Sequence, residues 1–482
     1  MKSWLALALT STFACGPAAG PDGEGSDAPV LRDPEGSIRL LLNPPTGTGP
    51  RSECVAEVCT SLLRLVDDAD KTIDFAVYGV RGMPQVISAL TQAQGRGVQL
   101  RGVVDRDAAG ANYYSDTDAM IAKVGHVRDD GKVDERRAKE ALRTRYPEPR
   151  CARPEGFEGP VQCLAYDLGD RCLLAAHSSR EPLDDGAAIM HNKFLVADSR
   201  WVWTGSTNIS DTGTGGYNAN LVTVIDSRRL ATAYLRELDQ MYEDGRYHED
   251  KRSAGPLRVQ VGSSQVQLLF SPQDSPIREA IRPLIKGARE RIDIAVFYLT
   301  HKRLTADLID AHLRGVQVRV ILDATAATNG FTKHELLRAV GIPVKVEDWG
   351  GKMHMKSAMI DGHTVVTGSM NWTTAGDDTN DENVVIVRDE ALAAQYGEFF
   401  EQLWGQIDDR WLTANPDPES RDSGTACTDG IDNDYDGLAD AQDPGCGDVP
   451  PPRPPLPPWQ IVAKRGRMTC EPEMMGRLTA RR

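Results

Sequence analysis

No apolar run in this chain of 482 residues is long enough to cross a bilayer, because a spanning helix needs roughly 20 consecutive, mostly apolar residues. An enzyme with several membrane-spanning helices is thereby excluded. Positive charge is in deficit, with 55 Lys and Arg against 70 Asp and Glu and a formal net charge of -15. Such a surplus repels polyanions at long range and counts against a nucleic-acid partner, although a local basic track can act against the global field. Nine cysteines are present, none in a C-x-x-C frame, which argues against a zinc site. The remainder, 40% hydrophobic and 26% charged, is the composition of a soluble globular protein with room for two or three domains.

The first residues read as an address rather than as fold. Met1-Lys2, the apolar run Trp4 to Leu9 and the stop at Ala14-Cys15-Gly16 are expected to form an export signal over residues 1–15. Cys15 stands at the acylation point of a lipoprotein, with Thr12 where Leu is usual; simple cleavage after a small residue is the alternative. Export to an outer-membrane, periplasmic or cell-surface location, or secretion, permits disulfides. With Cys15 set aside an even set remains, in which Cys54 with Cys59 and Cys427 with Cys446 are expected as local pairs. The partners of Cys151, Cys163, Cys172 and Cys470 stay open.

One pattern is written twice. His191-x-Lys193-x4-Asp198 is followed by Gly205-Ser206-x-Asn208, and His354-x-Lys356-x4-Asp361 by Gly368-Ser369-x-Asn371, at identical offsets. A lone His-x-Lys is noise; two copies with five matched positions are not. The repetition continues outside the motifs. Ile73 to Tyr78 matches Ile292 to Phe297, Arg96 to Arg101 matches Arg314 to Arg319, and each of these latter runs ends in an acid, Asp105 and Asp323. Leu42-Asn43-Pro44 mirrors Phe270-Ser271-Pro272. Each half reads strand, helix, strand, motif strand, with Met83 to Gln94 and Arg303 to Leu313 as crossover helices.

This doubled signature resembles that of the phospholipase D superfamily over most of residues 37 to 412. The resemblance implies an α/β fold of two pseudo-symmetric α/β/α halves, each a mixed sheet flanked by helices, around one composite active site. Expected boundaries are a linker over 16–36, a first half over 37–256, a second over 257–412 and a polar linker over 413–426. The first half carries an excess over about 106–188 with a basic stretch of Lys132, Arg136, Arg137, Lys139, Arg143 and Arg145. It is expected either to overhang the site as a lid or to be a solvated charged helix. Within 427–446, Asp432, Asp434, Asp436, Asp440 and Asp443, with Gly437 between them, have the spacing of an EF-hand-like calcium loop. A structural, non-catalytic Ca2+ is expected there, against an acidic disulfide-closed turn. Residues 447–482 read as a Pro-rich spacer and tail.

Alternate residues of a strand share a face, so His191 points with Lys193 and His354 with Lys356. Asp198 and Asp361 are expected at the strand end or on the other face, supporting the site through buried hydrogen bonds. Gly205-Ser206 and Gly368-Ser369 are read as tight turns that bring a second strand back, with Ser206, Asn208, Ser369 and Asn371 on the substrate. By the resemblance, two His, two Lys and two Asn enclose one phosphate. Lysines and amides then stabilise the transition state. One neutral His, His191, attacks phosphorus, and the other, His354, protonates the leaving oxygen. No cofactor is required for this chemistry. Glu382 matches the family's Glu that hydrogen-bonds a motif His, and Ala219 is read at that place in the first half. The function expected is an exported phosphodiesterase acting on phospholipid, held to a membrane by a lipid on Cys15, with no obligate protein partner. A nuclease and a cardiolipin-synthase-like phosphatidyl transferase are the alternatives in the same class. A non-catalytic, calcium-dependent surface lipoprotein is the alternative outside it, and two complete motifs argue against that.

Overall fold

The computed structural model describes residues 31–141, 161–167, 171–178, 188–328, 331–447 and 460–465, with 137–141, 161–167, 171–178 and 460–465 described by backbone alone. The apolar, β-branched runs of the repeat form two mixed sheets. The first has seven strands in the order Ser37–Asn43, Asn220–Asp226, Trp201–Gly205, Lys193–Ala197, Thr72–Val77, Gln99–Val104 and Val127–Asp129. The second repeats that order with Ser264–Ser271, Glu382–Arg388, Thr364–Gly368, Lys356–Ile360, Arg291–Val296, Gln317–Leu322 and Val344–Val346. The crossover helices are Pro84–Gly95 and Lys302–Leu313, each joining two parallel neighbours. The expected α/β duplication is therefore the fold observed.

Each half has its own apolar core, and two further clusters are shared. In one, Tyr234 and Leu238 of the helix Arg228–Tyr242 pack with Phe194 and Val196 of the first sheet and Leu268 and Val385 of the second. In the other, Tyr396 and Phe400 of Glu390–Gln406 pack with Leu40 and Leu221 of the first sheet and Met359 and Val365 of the second. Both helices are capped alike: Ser227 accepts from the Leu230 N–H and Asp389 from the Leu392 N–H, a device contributing about 1 kcal/mol each. Because apolar area is buried jointly, the halves cannot separate without exposing core.

Several expected boundaries move. Leu31–Asp33, placed in the linker 16–36, is a strand paired in parallel with Leu257–Val261 at the edge of the second sheet. The excess of the first half does not start near 106, because Thr117–Val124 and Val127–Asp129 repeat the second-half elements His334–Ala339 and Val344–Val346. It starts after Asp129. Its first helix is Gly131–Ala141, where Lys132 and Arg136 are exposed and Arg136 pairs with Asp250. The side chains of Arg137 and Lys139, and all of Arg143 and Arg145, lie outside the described residues. So does the lid reading.

Segment 413–426 is not a free linker: Glu419, Ser420, Ser423 and Ala426 are buried, and Arg338 binds the Asn415 side chain at 2.7 Å. The tail holds a strand, Gln460–Arg465, which pairs with Arg171–Ser178, itself paired with Val161–Asp167. The expected disulfides Cys54–Cys59 and Cys427–Cys446 are formed. Cys15, Cys151, Cys470 and the side chains of Cys163 and Cys172 lie outside the described residues. Among the described residues no helix is long and apolar enough to cross a membrane.

Candidate active site

The motif strands Lys193–Ala197 and Lys356–Ile360 lie mid-sheet, buried along their whole length. His191 and His354 precede them, and in both copies the Lys Nζ folds back to donate to its own His carbonyl at 2.9 Å. The halves pin one another through backbone. The His191 N–H donates to the Asp381 carbonyl at 2.9 Å, and the His354 N–H to the Ala219 carbonyl at 3.0 Å. The residue before each His is gripped by the acid that closes the repeated run. Met190 N–H donates to Asp105 Oδ1 at 2.8 Å and Met353 N–H to Asp323 Oδ2 at 3.0 Å. Those two acids were visible as a repeat, though without a role.

Asp381 is itself braced by buried cations, Lys251 at 2.8 Å and His248 at 3.2 Å. Against a burial that lowers it, the carboxylates of Asp381, Asp130 and Asp134 hold His248 up at about 10. Asp130, Asp134 and His248 converge closely enough to hold a metal, but the 2.9 Å Nε2–Asp134 hydrogen bond already satisfies the imidazole as an ion pair.

The imidazole partners cross between halves and differ. His191 Nδ1 meets Glu382 Oε1 at 2.7 Å; His354 Nδ1 meets Asn220 Oδ1 at 3.3 Å. Strand register makes these two partners equivalent, since Glu382 pairs with Ser271 and Asn220 with Asn43. Asn220, not Ala219, is the counterpart of Glu382. The loop from Ser206 to Asn220 is one residue longer than that from Ser369 to Glu382, so ungapped counting lands one position short.

Ser206 and Ser369 are fully buried and face the neighbouring strand. Ser206 Oγ donates to Asn220 Oδ1 at 2.8 Å and accepts the Leu221 N–H at 3.0 Å; Ser369 Oγ accepts the Asn383 N–H at 3.0 Å. Their reading as substrate contacts is corrected to that of bracing the histidine partners. Gly205 and Gly368 likewise end the returning strands and form no hairpin turn. A Cβ on either would lie 2.2 Å from a backbone carbonyl, of Leu221 or Asn383, so only glycine admits this approach. Asn208 and Asn371 keep Oδ1 without a hydrogen-bond partner among the described residues.

Asn383, which sequence reasoning passed over, joins both motifs: it donates to Asn192 Oδ1 at 3.1 Å and accepts from Thr204 at 2.9 Å. Asp198 and Asp361 do not reach the site. Each sits past the far end of its strand with φ of 50°. Asp198 accepts the N–H groups of Asp70, Lys71 and Thr72 at 2.7 to 3.0 Å, and Asp361 those of Arg289, Glu290 and Arg291 at 2.9 to 3.0 Å. These bonds are at the surface, not buried as expected.

Electrostatics mark the centre as an anion site. Burial brings Lys193 down to about 7, and burial with the neighbouring Lys193 brings Lys356 well below the usual lysine range. Both imidazoles are pushed well down by burial first and the two ammonium groups second. Burial raises Glu382 to about 8. Tyr78 and Phe297, equivalent in the repeat, stand 5.3 Å from the His191 ring and 5.2 Å from the His354 ring. A bound anion offsets the mutual repulsion of the two lysines and two imidazoles and restores their protons.

The acidic C-terminal loop is built differently from its spacing. Glu419, Asp432 and Asp434 form one convergent trio and Asp434, Asp436 and Asp443 another, ligand atoms within 4.8 Å of one another. Asp440, with φ of 53°, turns away to accept the Gly430 N–H at 3.1 Å. Glu419 from upstream takes its place, and the all-oxygen set still fits a hard cation such as calcium. Burial and nearby carboxylates raise Glu419 to about 7 and Asp434 to about 6, the signature of excess negative charge. The loop is docked on both halves. Tyr217 donates to Asp429 Oδ2 at 2.6 Å, and Thr325 donates to the Asn433 carbonyl at 2.7 Å.

Comparison with known proteins follows the duplication. A family model described as "Cardiolipin synthase, PLD-like domain" matches residues 161–242 and 281–404. A mitochondrial cardiolipin hydrolase of Xenopus laevis is 33% identical over 188 residues, 36% of this chain and 90% of that protein. A phospholipase D of Rickettsia bellii is 40% identical over 138 residues, 28% of this chain and 68% of that protein. The crystal structure of a phosphatidylserine synthase of Haemophilus influenzae Rd KW20 superposes with a TM-score of 0.50 at 13% identity, covering 78% of this chain and 91% of that one. That likeness concerns the fold alone.

Proposed function

The chain belongs to the phospholipase D superfamily and is a phosphodiesterase of that type, and we propose that it hydrolyses a phospholipid through a phosphohistidine formed on His191. The observation that carries the assignment is the unequal pair of imidazole partners, a carboxylate at 2.7 Å on His191 and an amide at 3.3 Å on His354. With its carboxyl ionised, Glu382 accepts from Nδ1 and leaves the His191 Nε2 lone pair free and more basic. That nitrogen attacks phosphorus, and the electron pair of the breaking P–O bond goes to the leaving oxygen, which takes its proton from the His354 imidazolium. His354, now neutral, takes a proton from water as the water oxygen attacks phosphorus. The N–P bond breaks and its electron pair returns to His191. Lys193, Lys356, Asn208 and Asn371 hold the non-bridging oxygens, where charge develops.

Phospholipid is favoured by the names of the relatives and by a net charge of -15, which disfavours a polyanion. Export and a lipid on Cys15 would raise the local concentration of such a substrate without new contacts; changing Cys15 to Ser should then release active protein. Calcium held by Glu419, Asp432, Asp434, Asp436 and Asp443 would stiffen the C-terminal loop and take no part in the chemistry. The deciding assay compares headgroup release from phosphatidylcholine, phosphatidylethanolamine and cardiolipin vesicles with cleavage of plasmid and single-stranded DNA, at matched salt and with chelator. Lipid hydrolysis that survives chelator is expected. Rapid DNA cleavage falling steeply with salt, with no headgroup release, would make the enzyme a nuclease.

A further inference from the structure

Two tyrosines at the mouth of the site are exposed where packing offers them no reason to be. Tyr113 is 60% and Tyr435 55% exposed, among the few large apolar side chains so placed in the described residues. They come from distant parts of the chain. The Tyr113 ring lies 6.0 Å from that of Tyr78, which in turn edges onto His191 at 5.3 Å. The Tyr435 ring lies 5.0 Å from the Nζ of Lys352, two positions before His354. One ring therefore stands beside each motif.

Tyr435 is held there at a cost. Its φ of 65° is a left-handed backbone that a bulky side chain rarely adopts. The segment around it is fixed from both sides. The Asn433 carbonyl accepts from Thr325 and Lys352, and the Asp436 N–H donates to Asp432 and Asp434 at 3.1 Å each. A strained residue with an exposed ring at the rim of an active site points to a contact made by substrate.

We propose that Tyr113 and Tyr435 form a two-ring clamp over the composite site, which grips the apolar glycerol-ester portion of a phospholipid next to the scissile phosphate. The proposal rests on the phosphodiesterase reading and names its substrate class more closely. Tyrosine suits this place, since its ring packs on apolar groups while its hydroxyl stays in water. The loop that carries Tyr435 holds five carboxylates, Glu419, Asp432, Asp434, Asp436 and Asp443, more than one bound Ca2+ neutralises, and the remaining negative charge suits a lone phosphodiester and opposes the successive phosphates of a nucleic acid.

The test uses the full-length, disulfide-intact protein and three substrates: a short-chain phosphatidylcholine below its micelle concentration, methyl para-nitrophenyl phosphate, and a single-stranded oligonucleotide. Tyr435→Ala and Tyr113→Ala should each lower the ratio of kcat/KM for the lipid to that for the small diester about tenfold. Tyr435→Phe should restore the ratio. An unchanged ratio, or an equal fall on both substrates, would overturn the clamp, and a fall confined to the oligonucleotide would overturn its lipid assignment. Should the wild type cleave none of the three, the phosphodiesterase reading fails separately. The clamp is then read from calorimetric binding of a short-chain phosphatidate against inorganic phosphate. Tyr435→Ala should weaken the first relative to the second, and equal binding would sink it.

Discussion

Set side by side, the two halves agree in the strand order and backbone contacts that place the motifs and differ beside the imidazoles. Seven strands run in the same order in both sheets. Each motif lysine returns to its histidine carbonyl at the same 2.9 Å, and each histidine N–H is bound by backbone of the opposite half. Beside the imidazoles the match ends: the carboxylate of Glu382 faces His191 and the amide of Asn220 faces His354. The carboxyl and amide heads are nearly the same shape, Glu carrying one methylene more than Asn, and strand register places both at the same point of the frame. The exchange removes an ionisable group from one side only. A duplicated site can thus divide two chemical duties between identical side chains by altering one neighbour, while Ser206 keeps that amide oxygen aimed at the ring.

The comparison breaks most readily at the histidines. His191→Asn and His354→Asn should each lower kcat by about four orders of magnitude. Labelled phosphate should be trapped on the protein only in His354→Asn; trapping in His191→Asn instead would reverse the assignment. Next in size, Glu382→Gln should lower kcat/KM about 100-fold, as for other groups that orient a histidine from behind. Its counterpart Asn220→Asp should leave turnover measurable and move the alkaline limb of the pH profile upward by about one unit. The sign follows from the acid role: a carboxylate holds the His354 proton to higher pH. An unmoved limb would mean that Asn220 does not set that proton.

A smaller effect concerns Lys193, held by burial at about 7. Above that pH the free site has lost this proton, and a bound anion recovers it. Inorganic phosphate should therefore bind more weakly as pH rises, with proton uptake seen as a heat that varies with buffer ionisation enthalpy. Heat independent of buffer would show that the ammonium is already charged in the free site. Least of all, Asp198→Ala and Asp361→Ala should cost about 1–3 kcal/mol in urea unfolding and change kcat/KM within about a factor of two. A large catalytic loss with unchanged stability would return these two acids to the site.

The motifs, the repeat, the halves and two disulfides were legible because each is written in local spacing. What escaped depends on contacts between distant residues. Asn220 was missed through a one-residue difference in loop length, which only strand pairing resolves. The brace of Asp381 by His248 and Lys251 joins positions far apart in sequence and carries no period. The acidic loop was read by counting positions, and a left-handed Asp440 defeats such counting while Glu419 enters from outside it. Residues 413–426 look like a linker because they are polar; Glu419, Ser420 and Ser423 are in fact buried and bonded.

The strand Leu31–Asp33 bears on the order in which the chain assembles. It precedes every strand of the first sheet yet lies at the edge of the second, Leu31 opposite Val259. A chain emerging from its N-terminus can close the whole first sheet while this strand still waits for its partner, since long-range pairing must wait until both segments exist. The earliest strand is therefore the late one. Until Leu257–Val261 has been made, Leu31–Asp33 has no partner in the second sheet; afterwards it is fixed at that edge.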